Sequence, residues 1–252
     1  MYLVKDKKQV MPLIEEDLIV HLNTLGRMMN NKDIEIYVDN VENPRGFVLK
    51  HGYWAIPYSR DKEILDTVLK TYSFGERVGF CGLPTELANT IRGTLWDYEL
   101  EWEEHCYLYY LPENNWKKIQ AEETLGYLKP EDVDVVNHYY TYKEEGSREY
   151  LLECIINRPS SVIRDEKGNP ISWALVREDN SMGVMYTIEE YRKKGFAKRI
   201  TVDLLKKVID KGNIPYNHIV VTNSASQNLA IEMGFQCWGN VLWFGLTKKN
   251  KD

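Results

Sequence analysis

Short apolar or alternating runs predict strands over 34–38, 46–49 and 53–56, with Asn43-Pro44 and His51-Gly52 reading as the turns between them. Helices follow over 62–72, where Ile64, Leu65, Val68 and Leu69 share a face, and over 85–96, entered through Leu83-Pro84. An alternating, aromatic stretch over 98–111 predicts a strand that closes this half. The charged stretch over 112–130 lacks periodicity, so the boundary is expected there, giving domains of 1–115 and 116–252.

In the second half, Pro130-Glu131-Asp132 opens a helix with acidic residues in its first turn, carrying Val133, Val136 and Tyr139 inward. A second helix over 147–156 is expected to be capped by Ser147 and stopped before Pro159. Segments 161–164 and 171–176, joined by the turn 165–170, predict an antiparallel hairpin. A strand over 182–188 leads into an amphipathic helix over 196–211, with Ile200, Leu204, Leu205, Val208 and Ile209 inward and Gly212 as its stop. A strand over 218–222, a helix over 227–233 and an aromatic strand over 235–246 complete an α/β chain of the α+β kind.

The chain has 252 residues, enough for one large or two small cores. Its formal net charge of -6 argues against nucleic acid and anionic membrane as general partners. Cys81, Cys106, Cys154 and Cys237 are far apart and show no paired spacing, so neither a metal site nor a disulfide framework is expected. Charges at Lys5 to Lys8 and Glu15 to Asp17 interrupt the first twenty residues as no secretion signal would, and no run is long enough for a membrane span. A cytoplasmic, soluble protein is expected.

Against that acidic background, Tyr191-Arg192-Lys193-Lys194-Gly195-Phe196-Ala197 is a basic turn between a strand and a helix. Gly195 and Ala197 let backbone approach an anion, and the first helical amides point outward without partners. Lys193, Lys194, Lys198 and Arg199 add local positive charge, so the expected guest is a polyanion such as a pyrophosphate.

The order of elements, with Arg192-x-x-Gly195-x-Ala197 between strand and helix, Asn223 after the next strand and Met233-Gly234-Phe235 beyond it, resembles the GNAT superfamily of acyl-CoA-dependent N-acyltransferases. Segments 149–155, 168–175 and 187–192 look like the glycine N-acyltransferase-like branch. That branch pairs a degenerate GNAT-like N-terminal half with a competent C-terminal one. The resemblance implies a GNAT fold, a mixed central sheet flanked by helices, with acetyl-CoA or another acyl-CoA as cosubstrate and a small-molecule amine such as an amino acid as acceptor. It also implies that backbone around Lys193, Lys194, Gly195, Phe196, Ala197 and Lys198 holds the pyrophosphate. Arg192 and Asn223 complete that site, and the pantetheine arm pairs with Met185, Tyr186 and Thr187.

The proton-handling groups are less legible. Where the resemblance puts a catalytic Glu, the chain has Ser181; where many GNAT enzymes have a Tyr acid, it has Ala230. Tyr186 and Ser181 are therefore the catalytic candidates, with Asp179, Glu189, Glu190, His218 or bound water as substitutes. Each has an ordinary structural reading beside it: core aromatic, turn residue, charge balance or surface histidine. Strand aromatics Trp173, Trp238 and Trp243 read as core or as acceptor-pocket walls. A coenzyme-binding sensor or scaffold without turnover, a peptide or protein acetyltransferase, and a homo-oligomer through aromatic edge strands stay open.

Overall fold

A computed structural model describes residues 1–119 and 123–250; residues 120–122, within the expected boundary stretch, lie outside the described part. In chain order the elements begin with β1 (Tyr2–Val4), α1 (Met11–Glu16), α2 (Leu22–Asn30), β2 (Glu35–Val38), β3 (Gly46–His51), β4 (Trp54–Ser59) and α3 (Lys62–Thr71). Then come β5 (Arg77–Pro84), α4 (Thr85–Thr94), β6 (Tyr98–Tyr110), α5 (Glu113–Trp116), α6 (Val133–His138) and α7 (Ser147–Asn157). The chain continues through β7 (Ser160–Arg164), β8 (Pro170–Val176), β9 (Met182–Thr187), α8 (Phe196–Asp210), β10 (Tyr216–Val220), α9 (Ser224–Glu232) and β11 (Gln236–Lys248).

The contacts divide the chain into two units, one of 1–108, 218–223 and 237–252, the other of 109–217 and 224–236. This is not the single cut near 115 expected from the charged stretch. The reason is strand pairing: β11 runs antiparallel to β5, so the C-terminal segment belongs to the sheet of the N-terminal half. That sheet is mixed, ordered β1-β2-β3-β4-β5-β11-β6-β10, with β4 and β5 parallel. Its core includes Ile36, Phe47, Leu49, Val68, Phe80, Ile91 and Phe244, all nearly or fully buried.

The second unit is built on the antiparallel sheet β7-β8-β9. Trp173 and Leu175 of β8 pack with Leu151, Cys154 and Ile155 of α7 and with Val133 and Val136 of α6. Ile200, Leu204, Leu205 and Val208 of α8 are buried as the helical spacing predicts. One expectation is corrected. Ser147 is not the cap of α7 but its first residue; Gly146, at φ 82°, precedes it, and the Ser147 hydroxyl donates to Asn137 Oδ1 at 2.7 Å. A left-handed turn is needed there, which glycine supplies at low cost.

Within the first unit His21 is enclosed. Its Nδ1 lies 3.2 Å from Thr24 Oγ1, the Tyr58 ring stands edge-on at 4.2 Å, and Nε2 has no partner. Burial drives its pKa from 6.5 down to about 4, with the nearby Asp17 carboxylate opposing the shift only in part. The unfolded chain therefore takes up this proton first as pH falls. Stability is intact above about pH 6.5 and is lost progressively down to about pH 4, by roughly 3 kcal/mol for this group. Urea unfolding of the wild type and His21→Gln at pH 7, 5.5 and 4 should show a shallower pH slope in the variant over that window. Equal slopes would show that His21 does not titrate on unfolding.

Candidate functional site

Strand β9 is an edge strand of its sheet and is broken once. Trp173 faces Tyr186 and Leu175 faces Gly183, so Val184 and Met185 together oppose the single residue Ala174. Val184 sits at φ 46°, a conformation that a β-branched residue adopts only under constraint. Such a bulge takes backbone groups out of the ladder and re-aims the neighbouring side chains. Beyond it, Tyr186 stacks on Tyr139, with ring centroids 4.4 Å apart at 20°. Its hydroxyl accepts from Arg192 Nη2 at 3.1 Å, while Arg192 Nε donates to the Thr187 carbonyl at 3.1 Å. Arg192 therefore ties the end of β9 to the loop that follows.

That loop makes a single 3₁₀ turn over Glu189–Tyr191 and then passes through two left-handed residues, Lys193 at φ 59° and Gly195 at φ 77°. Left-handed residues beside right-handed ones curl successive amides toward a common point, a geometry that suits an anion. The helix α8 starts directly after Gly195, and no described side chain caps its first turn. A Cβ built on Gly195 would meet nothing within 4 Å, so the chain is open to solvent at this residue. The four cations of the motif are not equivalent. Lys198 pairs with Glu232 at 2.7 Å and Arg199 with Glu123 at 2.6 Å. Lys194 lies over the Tyr191 ring at 5.0 Å, and neither it nor Lys193 forms an ion pair among the described residues. The local positive charge thus rests on Lys193, Lys194 and Arg192.

Helix α8 is held by a polar anchor on its buried side. Asp203 pairs with Lys207 at 2.7 Å, accepts from the Leu125 amide at 3.0 Å and from Ser161 Oγ at 2.5 Å. Lys207 Nζ donates to the carbonyls of Leu125 and Ser160, each at 2.9 Å.

The remaining expected residues fall as follows. Ser181 is buried in the β8–β9 turn, where both its amide and its hydroxyl donate to Asp179 Oδ1, at 2.9 and 2.5 Å. Asp179 is thus a turn residue, and Ser181 carries no free hydroxyl proton. Glu189 and Glu190 are exposed in the loop. Ala230 is buried in α9, which ends at Gly234 (φ 85°) with the Phe235 amide bonded to the Ala230 carbonyl at 3.0 Å. That is the left-handed helix stop that Met233-Gly234-Phe235 encodes. Asn223 belongs by its contacts to the first unit, as does His218, whose Nδ1 accepts from Trp243 Nε1 at 3.0 Å. Trp173 is fully buried, and Trp238 is exposed. All four cysteines are free thiols, Cys237 alone being exposed, and burial pushes the Cys154 thiol up to about 12. Among the described residues no group of three or more His, Cys, Asp or Glu could hold a metal ion, and no helix is long and apolar enough to cross a membrane.

The family model described as FR47-like protein matches residues 162–244, which span the hairpin, the loop and α8. Human glycine N-acyltransferase-like protein 1 is 31% identical over 94 residues, covering 37% of this chain and 31% of its own length. Glycine N-acyltransferase of Bos taurus is 24% identical over 107 residues, covering 42% and 36%. The chain thus spans about a third of the length of these curated relatives. Among solved structures, a Drosophila protein superposes with a TM-score of 0.83 at 15% identity over 97% of both chains. A tandem GNAT protein from the clavulanic acid biosynthesis pathway gives 0.61 at 9% identity, covering 100% and 99%. A GNAT-family acetyltransferase from Colwellia psychrerythraea gives 0.57 at 14%, covering 97% and 98%. The fold is that of the GNAT class, a mixed sheet flanked by helices. The matched family model lies within the second half of the chain.

The anchor of α8 makes a direct mutational expectation. Asp203→Ala would leave Lys207 charged, buried and unpaired, which costs about 3–5 kcal/mol. Chemical unfolding should show that loss, and Lys207→Met combined with it should recover much of it. An additive double variant would mean that the two side chains do not act as a pair.

Proposed function

We propose that this protein is an acyl-CoA-dependent N-acyltransferase, moving an acetyl group from acetyl-CoA to the free amine of a small molecule such as an amino acid. The observation that carries the reading is the junction of an uncapped helix with a left-handed, sterically open Gly195 on one side and a bulged edge strand on the other. Pyrophosphate fits the first feature, because outward amides and the positive end of a 15-residue helix favour an anion there. Amides of Lys193 to Lys198 would hold it, with Lys193, Lys194 and Arg192 supplying charge. Asn223 is carried over from the motif alone.

The extended pantetheine arm suits the second feature. An edge strand leaves one side without a strand neighbour in its sheet along Met185, Tyr186 and Thr187, as a sheet edge does for any added strand. Amides released at the bulge would then face the acyl carbonyl and stabilise the negative charge that builds on its oxygen. The overall transfer breaks the carbon–sulfur bond, forms the carbon–nitrogen bond, moves one amine proton away and leaves the thiol. Of the two candidate catalytic side chains, Tyr186 is the better placed for proton movement, since its hydroxyl lies on β9 and is oriented by Arg192. The hydroxyl of Ser181 is already donated to Asp179.

A second reading, a coenzyme-binding sensor without turnover, has its own support. Ser181 is committed to a turn and Ala230 is a buried alanine, so the two positions at which related enzymes place a base and an acid are both filled by inert groups.

Thiol release from acetyl-CoA, measured against a panel of amines from pH 7 to 10, separates the readings. Transfer predicts release that depends on a particular amine, whereas coenzyme binding without release on any amine would favour the sensor. Gly195→Glu would add a side chain and a negative charge at the start of α8, at a φ that already disfavours any residue with a Cβ. Coenzyme A affinity by calorimetry should fall at least about a hundredfold in the folded variant. Unchanged affinity would remove the phosphate site from this loop.

A further inference from the structure

We propose that Arg177 is the seat for a carboxylate on the acceptor amine, an inference that rests on the acyl-transfer reading and names the acceptor class within it. Arg177 directly follows β8 and opens the turn into β9, its amide donating to the Ser181 carbonyl at 2.9 Å and its carbonyl accepting from the Asn180 amide at 3.0 Å. The side chain then folds back along β9. A Cβ on Gly183 would lie 2.7 Å from Arg177 Nε and 2.9 Å from both Cζ and Nη2, so the guanidinium occupies room that only a glycine leaves. Gly183 is the residue immediately before the bulge at Val184.

This guanidinium has no protein counterion in contact. Its Nε is fully buried without a hydrogen-bond partner, and none of the described residues forms an ion pair with it. The other largely buried cations of the same unit are all paired: Arg158 with Glu153, Arg164 with Asp132, Lys207 with Asp203. The titratable groups that feel its charge are Tyr150, Tyr140, Asp179 and Tyr142. Of these Asp179 is the one carboxylate, and its Oδ1 is taken up by the amide and hydroxyl of Ser181. Burial holds Tyr150 well above the ordinary tyrosine range and also raises Tyr140, so both stay neutral near pH 7.

A guanidinium with a buried, unpartnered Nε and no counterion is costly to keep, and a ligand that completes it would offset that cost. The guanidinium fork matches a carboxylate in two parallel hydrogen bonds, a match that an ammonium lacks. The residue is only partly covered, so a small anion can reach it. An amino acid bound there through its carboxylate would bring its amine toward the bulge, where the thioester is expected. Sequence reasoning passed over Arg177 because it belongs to no motif. The signal that could have found it is an arginine ending an apolar strand opposite a strand glycine.

The test compares acceptors that differ only in this charge. Thiol release is measured with glycine against glycinamide, and with longer amino acids against their amides, for the wild type, Arg177→Gln and Gly183→Ala. The wild type should prefer the acid, and Arg177→Gln should raise KM for the acid by about 10- to 100-fold and abolish the preference for acid over amide, with coenzyme A affinity unchanged. Gly183→Ala keeps the arginine but displaces it and should shift selectivity the same way. Calorimetry with N-acetylglycine as probe gives a readout independent of turnover: binding to the wild type, lost in Arg177→Gln, would uphold the seat even if no acceptor supports transfer. Equal preference for acid and amide in the wild type, or N-acetylglycine binding unchanged by both variants, would overturn it. Binding of inorganic phosphate but not of N-acetylglycine would overturn the carboxylate assignment.

Discussion

One buried ion pair ties α8 to the backbone around it, and the phosphate-site reading depends on where that helix is held. Asp203 and Lys207 lie one turn apart and together bind the backbone or hydroxyl groups of Leu125, Ser160 and Ser161 through directed, charge-assisted bonds. Apolar packing alone would bury the same helical face with some freedom to slide or rotate, because dispersion has little directional preference. Hydrogen bonds of 2.9–3.0 Å to fixed backbone have no such tolerance. A buried pair of this kind adds little net stability over an apolar replacement. What it fixes is register, and register decides where the amides following Gly195 point.

Function and fold are separated along β9. Its inner edge is bonded to β8, while its outer edge is unpaired within its sheet. A regular strand would present alternating donors and acceptors evenly along that edge. The bulge at Val184 breaks the evenness at one place, and Arg177, Gly183, Tyr139 and Tyr186 are gathered around it. Strain at a β-branched residue persists only if the surroundings enforce it. Here Trp173 and Leu175, both fully buried, hold the paired residues on either side.

Much of the second unit was legible because its signals are local. The helical period of α8, the glycine stop at Gly212, the β7–β8 hairpin and the loop motif each lie within a few residues. What was illegible depends on distant partners. Strand β5 escaped because Gly79 and Gly82 make it resemble a turn. The folded chain needs those glycines, since a Cβ at 79 would strike the Tyr53 and Trp54 rings and one at 82 would strike His218. Helix α2 escaped because His21, Asn23, Thr24 and Arg27 are buried polar residues, bonded to one another and to nearby backbone apart from His21 Nε2, and they mask the apolar stripe. The division of the chain was hidden for the same reason: pairing of β11 with β5 joins residues more than 150 positions apart, and no composition change marks it. The loop residues were visible as a group, yet only the side-chain geometry separates Lys198 and Arg199, already paired, from Lys193 and Lys194.

The same distinction bears on catalysis. Transfer to an amine requires a neutral nucleophile, and a protein can supply it by a strong base or by lowering the cost of losing the proton on binding. With Ser181 tied to Asp179 and Ala230 inert, the first route has no evident side chain among the described residues of the second unit other than Tyr186. The second route needs only a positive group near the acceptor, since a cation beside an ammonium favours release of its proton. A guanidinium adjoining the bulge would do both tasks at once, pairing with the acceptor's carboxylate and, by its residual field, disfavouring a charged amine beside it. On the proposed reading, the inert groups at Ser181 and Ala230 and the arginine without a counterion at the bulge would be connected: the field of that arginine would take the place of a side-chain base.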